Sequence, residues 1–563
     1  MIVKKSPIGI SDFKRIIEEN YRYIDKSLLI KEILENSLIV LLIRPRRFGK
    51  TLNMSLLKYF FEKTAEDSSY LFKDLKIWQE DNFYKEQQGK YPVIFLTFKS
   101  IKHIHWEDAL LQFKFIIREE FKRHAYLLES LSETDKDYFQ KIILNRAETA
   151  DYTQSLGQLS KFLCEFHQER VVILIDEYDT PINVAFLNGF YEQIIPFVKI
   201  LFESAFKDNS YLEKGVITGI FRVAKEGVFS GLNNLSEHSL LSFKFADKFG
   251  FTQDEVKGLL EEQQISDQLP EVQSWYNGYY FGNGEIIYNP WSILRFLSSI
   301  EEGCQPYWVN TSDNQLLRTY MFQPQRDTDI RQELADLVAG KAIPKQIIHE
   351  HLTFPDLTEN KSAIWNLLLF GGYLNAKNRT RQGNFFVYDL EIPNREVTYL
   401  YESFILDWVN KQVGGREILI MLEALTQGDI TLFEKKLRLF AERIFSYHDT
   451  QGEESENFYH AFILGLLVNL EHSHEIKSNR ESGYGRYDIV LIPRTDKNLG
   501  VVIELKSAEK QDDLDKMAAR ALDQILQKNY AAELKQRELR QILQVGIAAY
   551  GKEVKMKATL AGS

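Results

Sequence analysis

The chain has 563 residues with a formal net charge of −11; 44% of them are hydrophobic and 26% charged, and its two cysteines, Cys164 and Cys304, lie far apart. That length exceeds one ordinary hydrophobic core and predicts roughly two to four domains, while the globular mixture excludes wholesale disorder. Two distant cysteines exclude a disulfide framework and a cysteine-rich zinc site, and the acidic balance excludes a generally basic surface but not a local basic groove.

The first residues, Met1-Ile2-Val3-Lys4-Lys5-Ser6-Pro7, lack the apolar run of a signal peptide. No stretch approaches the about 18 apolar residues that span a bilayer. A cytoplasmic protein without a membrane partner is expected.

From the N-terminus to Gln253, short apolar runs alternate with amphipathic stretches. Leu38 to Ile43, Val93 to Phe98, Val171 to Ile175, Val216 to Ile220 and Leu240 to Phe245 read as strands, and Trp106 to His124 and Tyr191 to Asp208 as helices. Strands alternating with helices predict a parallel sheet covered on both faces. Domain boundaries are expected at 1–253, 254–420 and 421–563, the middle part mostly helical and the last part α/β, with helices, then two β-rich runs at Tyr487 to Pro493 and Gly500 to Lys506, then helices again.

The first expected strand runs into Arg44-Pro45-Arg46-Arg47-Phe48-Gly49-Lys50-Thr51-Leu52, followed by a helical pattern. A P-loop needs this order, because backbone N–H groups and the positive end of the helix then surround phosphates. Arg46, Arg47, Phe48, Gly49 and Leu52 would line the phosphates, Lys50 would reach the β- and γ-phosphates, and the Thr51 hydroxyl would ligate Mg²⁺. Arg44 stands where the first glycine of the pattern is usual. A basic turn before a surface helix would also give this run.

The strand from Val171 ends in Asp176 and Glu177. Asp176 would hold Mg²⁺ through water and Glu177 would polarise the attacking water. Together the two elements predict an ATP site. Thr218 on the next strand would sense the γ-phosphate and Arg222 would neutralise charge there; a structural threonine and a surface arginine fit these positions equally well.

Near the C-terminus, Gly485-Arg486-Tyr487-Asp488-Ile489 and Val501-Val502-Ile503-Glu504-Leu505-Lys506 read as two strands of a hairpin. Alternation puts Glu504 and Lys506 on one face, near Asp488 on the neighbouring strand. Charged groups at the edge of a buried sheet are costly without a partner, and a divalent cation supplies one. Asp488 and Glu504 are the expected metal ligands, with Glu456 upstream as a further one; Mg²⁺ is expected and Mn²⁺ would also fit. Lys506 would orient or activate a water against a phosphodiester, Arg486 would meet a nucleic-acid backbone, and Gln524, on the downstream helix, would touch either the site or that backbone. A surface hairpin with an ordinary Glu504–Lys506 pair is the alternative.

These residues resemble the bacterial AAA-ATPase-like family. The likeness rests on Arg44 to Thr51, on Asp176-Glu177-Tyr178-Asp179, on Thr218 to Lys225, on Gly231-Leu232-Asn233-Asn234 and on the aromatic run Trp275 to Gly282. In that family the Arg-Pro-Arg-Arg form of the P-loop is usual. Asp488, Glu504 and Lys506 are similar to the core motif of the PD-(D/E)XK nuclease superfamily domain that commonly follows this ATPase, although Tyr487-Asp488 stands here for Pro-Asp. The resemblance implies a P-loop NTPase sheet, a helical lid or winged-helix-like middle region and a restriction-endonuclease-like C-terminal domain. It also implies ATP binding with hydrolysis and nucleic-acid cleavage, without supplying a target; an ATP-regulated nuclease acting on DNA or RNA in defence or mobile-element control is the first reading. An ATP-dependent scaffold whose nuclease-like domain only binds nucleic acid or a protein is the second reading, and an oligomer stays open under both.

Overall fold

The computed structural model describes residues 4–221, 228–308 except 230, 233 and 283, 333–347 except 335 and 339, 363–445 except 384, 456–482 except 471, 485–508 except 496 and 497, and 513–562 except 538, 540, 551 and 552. The chain divides into two compact units. One comprises Met1–Asp313, Lys345–Tyr388 and Pro393–Glu396; the other comprises Asn314–Pro344, Asp389–Ile392 and Val397–Ser563.

The first unit is built on a parallel sheet of β1 (Ile39–Ile43), β2 (Val93–Thr97), β3 (Val171–Asp176), β4 (Leu212–Gly219) and β5 (Leu235–His238), in the order β2-β3-β4-β1-β5. Every residue of β1 and β3 is buried, so both faces of the sheet are covered. Helices α1 (Lys50–Phe61), α2 (Trp106–Arg123), α3 (Thr149–His167) and α4 (Tyr191–Phe206) do the covering. Each presents an apolar stripe, as α4 does with Ile194, Phe197, Val198, Leu201 and Phe202.

The fifth strand corrects an expectation. Leu240 to Phe245 is not a strand; Leu235–His238 takes the place beside β1, with Ile39 opposite Leu235 and Leu42 opposite His238. Leu240 and Phe245 are buried in a loop, and Phe245 sits at a φ of 62°, which no strand tolerates.

The rest of the first unit closes over the sheet's C-terminal edge. Phe251–Thr252, Glu285–Tyr288 and Tyr279–Phe281 form a small antiparallel sheet, with helices Gln253–Glu262 and Pro290–Ser298 beside it. Thr252 and Glu255 make a reciprocal capping box at the start of the first helix. Two ion pairs tie that helix to the N-terminal segment: Lys26 Nζ to Glu255 at 2.7 Å and Arg22 to Glu262 at 3.1 Å. The mostly helical reading of 254–420 omitted these strands and the hairpin Asn375–Gln382 and Phe385–Glu391.

The second unit holds a mixed sheet of β6 (His474–Ser482), β7 (Gly485–Pro493), β8 (Gly500–Ser507), β9 (Gln541–Tyr550) and β10 (Glu553–Gly562), in sequence order. Only β8 and β9 run parallel, and α5 (Leu514–Gln527) makes the crossover between them. One sheet face, with Ile489, Leu491, Val501, Ile503 and Leu505, packs on helices Gly415–Gln427, Ile430–Phe445 and Glu456–Leu467. The opposite face, with Val490, Ile492 and Val502, packs on Ile525 and on the turn carrying Tyr530 and Leu534. The chain is therefore α/β throughout: a P-loop-type parallel sheet near the N-terminus and a C-terminal α/β domain. No helix among the described residues is long and apolar enough to cross a membrane.

Candidate functional site

At the first site, β1 ends at Ile43 and the chain turns through Arg44–Gly49 into α1. Two residues of this turn adopt left-handed backbone, Arg47 at a φ of 68° and Gly49 at 85°. Gly49 takes that conformation without a Cβ penalty; Arg47 is held in it by its surroundings. The first helical bond runs from Asn53 N–H to the Gly49 carbonyl at 3.0 Å, so the N–H groups of Lys50, Thr51 and Leu52 head the helix without carbonyls beneath them.

Arg44 accounts for the absent glycine. Its side chain is fully buried and turns away from the loop. It donates to the carbonyls of Ile43 at 2.7 Å, His238 at 2.9 Å and Phe245 at 2.8 Å, and lies over the Phe249 and Phe281 rings. Burial lowers its pKa to about 9, so the guanidinium stays protonated near neutrality. Arg44 thus ties the base of the loop to the end of β5, a structural duty that leaves Gly49 to shape the turn.

The sheet register assembles the other groups. Thr97 lies opposite Asp176, and Ile175 opposite Ile217, which brings Thr218 beside Asp176. Asp176 is fully enclosed and accepts hydrogen bonds from Thr51 Oγ1 at 2.9 Å, Thr218 Oγ1 at 2.8 Å and Thr97 Oγ1 at 3.3 Å. Burial raises its pKa and the Glu177 charge adds to that, against the hydroxyl donors and Lys50. Thr51, oriented by donating to Asp176, keeps its oxygen lone pairs for a cation, so the residues present fit Mg²⁺.

Lys50 is 5% exposed, and its Nζ donates to the carbonyls of Arg44 at 3.1 Å and Pro45 at 2.9 Å. One of its three protons is left for an incoming oxygen. Burial lowers the Lys50 pKa, opposed by Glu177, Asp179 and Asp176. Glu177 sits at a φ of 52°, and its Oε2 accepts from Thr180 Oγ1 at 3.2 Å. The Phe48 ring packs against Tyr279 and Phe281. The Arg47 guanidinium lies 4.2 Å from the centre of the Trp291 ring.

These groups open on a cleft of about 410 Å³, within the range of about 300–1,000 Å³ typical of small-molecule sites. Arg22, Lys26, Arg46, Arg47, Lys50, Lys99, Lys102 and Lys248 line it against the carboxylates Glu177 and Asp179. In an acidic chain, such a concentration of cations suits a polyanion. Ile8, Ile10, Ile24 and Leu294 supply apolar walls. Arg222 lies outside the described residues.

Sequence reasoning gave no role to Thr97 or Asp179. Asp179 is buried, and its Oδ2 accepts the backbone N–H groups of Ile220 and Phe221, each at 2.9 Å, fastening the Asp176–Asp179 turn to the loop after β4. Asp179 was visible as the last residue of an acidic run; Thr97 needed the strand order.

At the second site, the β7–β8 register of Ile489 with Ile503, continued by one residue, sets Asp488 opposite Glu504. Directly opposed residues of an antiparallel pair share a face, and Lys506 shares it by alternation. Asp488 Oδ2 accepts from Leu505 N–H at 2.8 Å, and Lys506 Nζ lies 3.3 Å from Glu504 Oε1. Gln524, on α5, donates from Nε2 to the same Glu504 oxygen and to Tyr530 OH at 3.2 Å. Glu504 is 1% exposed, and its Oε2 is buried with no hydrogen-bond partner among the described residues. Burial pushes its pKa up to about 8 and the Asp488 charge adds to that, against Lys506; burial raises Asp488 too.

A buried carboxylate with one orphaned oxygen, opposite a half-buried second one, is the donor set of a hard divalent cation, and the residues present fit one. Among the described residues, no group of three His, Cys, Asp or Glu side chains forms a larger metal cluster. The side chains of Glu456 and Arg486 lie outside the described residues. His460, read from sequence as an ordinary helical residue, has its Nε2 3.3 Å from the Asp488 carbonyl.

Gly546, paired with Glu504 on β9, makes the Gln524 contact possible. A Cβ there would stand 2.4 Å from the Ala518 carbonyl and from Leu522 N, both on α5. Gly546→Val is expected to push α5 off the sheet and destabilise this domain by about 3 kcal/mol. Urea unfolding compared with wild type checks this, and an unchanged midpoint would remove the constraint.

Two regions of the chain match known families. Residues 7–229 match the family described as "Predicted AAA-ATPase", and residues 454–559 match the PD-(D/E)XK nuclease superfamily. An uncharacterized protein of the vnfD 5′ region of Azotobacter chroococcum mcd 1 is 25% identical over 549 residues, covering 95% of this chain and 94% of that protein. Among solved structures, the Walker-type ATPase paby2304 of Pyrococcus abyssi aligns with a TM-score of 0.35 and 14% identity, over 71% of this chain and 99% of that one. The STAND protein PH0952 of Pyrococcus horikoshii, which has a tetratricopeptide repeat sensor, aligns with a TM-score of 0.22 and 10% identity, over 76% of this chain and 54% of that one. The chain carries an AAA-ATPase-like domain at 7–229 and, in its C-terminal part, a PD-(D/E)XK nuclease superfamily domain at 454–559.

Proposed function

We propose that the chain binds and hydrolyses ATP with Mg²⁺ in the cleft at Lys50, and that its C-terminal domain is a metal-dependent nuclease acting under ATP control in defence or mobile-element control. The observation that carries this reading is the meeting of Thr51, Thr97 and Thr218 on the buried carboxylate of Asp176, beside Lys50 and Glu177.

In the cleft, Lys50 and the N–H groups heading α1 hold phosphate oxygens, and Arg46 and Arg47 add charge around them. The Thr51 hydroxyl, and Asp176 through water, would hold Mg²⁺, which would supply charge neutralisation at the phosphates. Glu177 takes the proton of the attacking water as its oxygen bonds to the γ-phosphorus and the bond to the β-phosphate oxygen breaks, leaving ADP and phosphate. Thr218 and Arg222 are assigned to the γ-phosphate.

Glu177→Gln keeps the shape and hydrogen bonding of the side chain but cannot accept that proton. It is expected to bind ATP normally and to hydrolyse it about 100-fold more slowly or worse. Phosphate release under single-turnover conditions measures this, and wild-type turnover in the variant would remove Glu177 as the base.

In the nuclease domain, a divalent cation at Asp488 and Glu504 supplies charge neutralisation of a phosphodiester and an activated water. Lys506 orients that water, and Gln524 fixes the Glu504 carboxylate. Arg486 and Gln524 are assigned to the nucleic-acid backbone, and Glu456 to the cation. Plasmid and single-stranded DNA or RNA, incubated with Mg²⁺ or Mn²⁺, with and without ATP, test the assignment. Nicking that depends on metal supports it; no cleavage under any of these conditions would favour a binding or scaffold role.

A further inference from the structure

The helix Pro290–Ser298 stands beside the P-loop, and three residues at its start each make a separate tie. Asn289, fully buried, accepts the Trp291 N–H on Oδ1 at 2.9 Å and points its Nδ2 at the Arg46 carbonyl, 3.5 Å away. The Trp291 ring has the Arg47 guanidinium 4.2 Å from its centre and that of Arg295 at 5.0 Å. Ser292, also fully buried, donates from Oγ to Glu396 at 2.8 Å. Glu396 is itself enclosed and accepts the Trp308 N–H at 2.6 Å. All of these residues belong to the first unit.

A buried carboxylate is costly, and neither proposed reaction uses Glu396. Its bond to Ser292 fixes the helix that presents Trp291 to the cleft. Buried indole N–H groups usually find a partner. The Trp291 Nε1 has none among the described residues, so the ring serves through its face. Over that face lies an arginine of the P-loop, exposed and held in left-handed backbone at a φ of 68°. An exposed arginine loses rotamer freedom when it docks on phosphate; one already stacked on a ring has lost it beforehand.

We propose that Trp291 is a positioning residue of the nucleotide site, holding the Arg47 guanidinium with its in-plane N–H groups free for phosphate oxygens, and that Glu396 fixes the ring there through Ser292. The proposal rests on the assignment of a triphosphate to the cleft at Lys50. Trp291 acts through Arg47 and does not touch the nucleotide, so the two side chains make one shared contribution to ATP affinity. Residues that each met the nucleotide would instead contribute separately.

The test is a double-variant cycle on the full chain, read as the Kd of a fluorescent non-hydrolysable ATP analogue with Mg²⁺. Arg47→Ala and Trp291→Ala should each raise Kd about tenfold, and the two together no more than about twofold beyond either alone. Trp291→Phe, which keeps a π face, should recover most of the affinity, and Ser292→Ala should raise Kd about threefold. KM for ATP should rise with Kd, and kcat should change less. Should Trp291→Ala melt below wild type without nucleotide, Trp291→Leu, which fills more of the space without a π face, takes its place in the cycle. A Trp291→Ala loss of the same factor in the Arg47→Ala background would overturn the proposal, because the ring would then act by a route other than Arg47. Wild-type Kd in Trp291→Ala, with Lys50→Ala unable to bind, would overturn it while leaving the nucleotide site in place. A wild type that does not bind the analogue, or a Lys50→Ala that binds it normally, would remove the nucleotide assignment and the proposal with it.

Discussion

Lys50→Ala is expected to weaken ATP binding by at least about 100-fold, the loss of one charge-assisted contact to phosphate in a desolvated site. Nothing else at the cleft replaces this group. The Lys50 ammonium is enclosed beside the P-loop carbonyls, whereas Lys99 and Lys102 are exposed residues of the loop after β2. The variant is also informative because it should fold. Burial lowers the Lys50 pKa, which means that the folded state disfavours the ammonium relative to water, so its removal relieves a cost as well as a contact. A ligand at about 100 times its Kd stabilises its protein by about 2.7 kcal/mol. Saturating ATP should therefore raise the melting temperature of wild type and leave that of Lys50→Ala where it is. An equal ATP-induced shift in both would place the nucleotide elsewhere.

Glu504→Gln should abolish nicking while leaving ATP hydrolysis intact, and should flatten the pH dependence of stability in the metal-free C-terminal domain. Both Glu504 and Asp488 have folded-state pKa values raised above their ordinary values of 4.5 and 3.8. A group raised in this way binds its proton more tightly in the folded state. The stability it contributes is fully present below the ordinary carboxylate value and is lost as pH rises through the folded value. In EDTA the wild-type domain should lose stability on the order of 1–3 kcal/mol between about pH 5 and pH 8.5. Glu504→Gln, which cannot ionise, should lose much less, and Mg²⁺ should restore wild type most at the alkaline end. Chemical unfolding at several pH values, with and without Mg²⁺, measures this. Wild type and variant following one another across the range would show that the carboxylate pair is not strained in the way described.

The parts of the fold that were legible in the sequence are those where burial on both faces writes a continuous apolar run. Val171–Ile175 and Ile39–Ile43 are such runs, and each ends in the residues that matter, Asp176 and the P-loop. The misreading at Leu240 to Phe245 has a physical cause. Leu240 and Phe245 are buried because the loop wraps Arg44, whose Nη2 bonds the Phe245 carbonyl, not because it joins the sheet, and Phe243 is exposed. The true fifth strand, Leu-Ser-Glu-His, is short and half-buried at a sheet edge and leaves little apolar trace.

The last two strands were read as helix for a related reason. Gln541–Tyr550 is buried almost end to end, and a run of Ile, Leu, Val and Ala does not reveal its period. In the C-terminal site, Asp488, Glu504 and Lys506 were legible from alternation. That Gln524 could reach the site was legible from its place on the downstream helix; its specific bond to Glu504 was not, because it depends on Gly546 letting α5 approach, and nothing local to either residue encodes that distance.

The account rests on two places where buried carboxylates and hydroxyls suit a divalent cation, one of them shared with a triphosphate. Anomalous scattering from a crystal grown with Mn²⁺ and a non-hydrolysable ATP analogue tests this most directly. Two manganese peaks are expected, one at the Thr51 hydroxyl with the analogue's phosphates against Lys50, the other between Asp488 and Glu504. Manganese only at surface carboxylates, with Lys50 and Glu504 touching neither nucleotide nor metal, would contradict it.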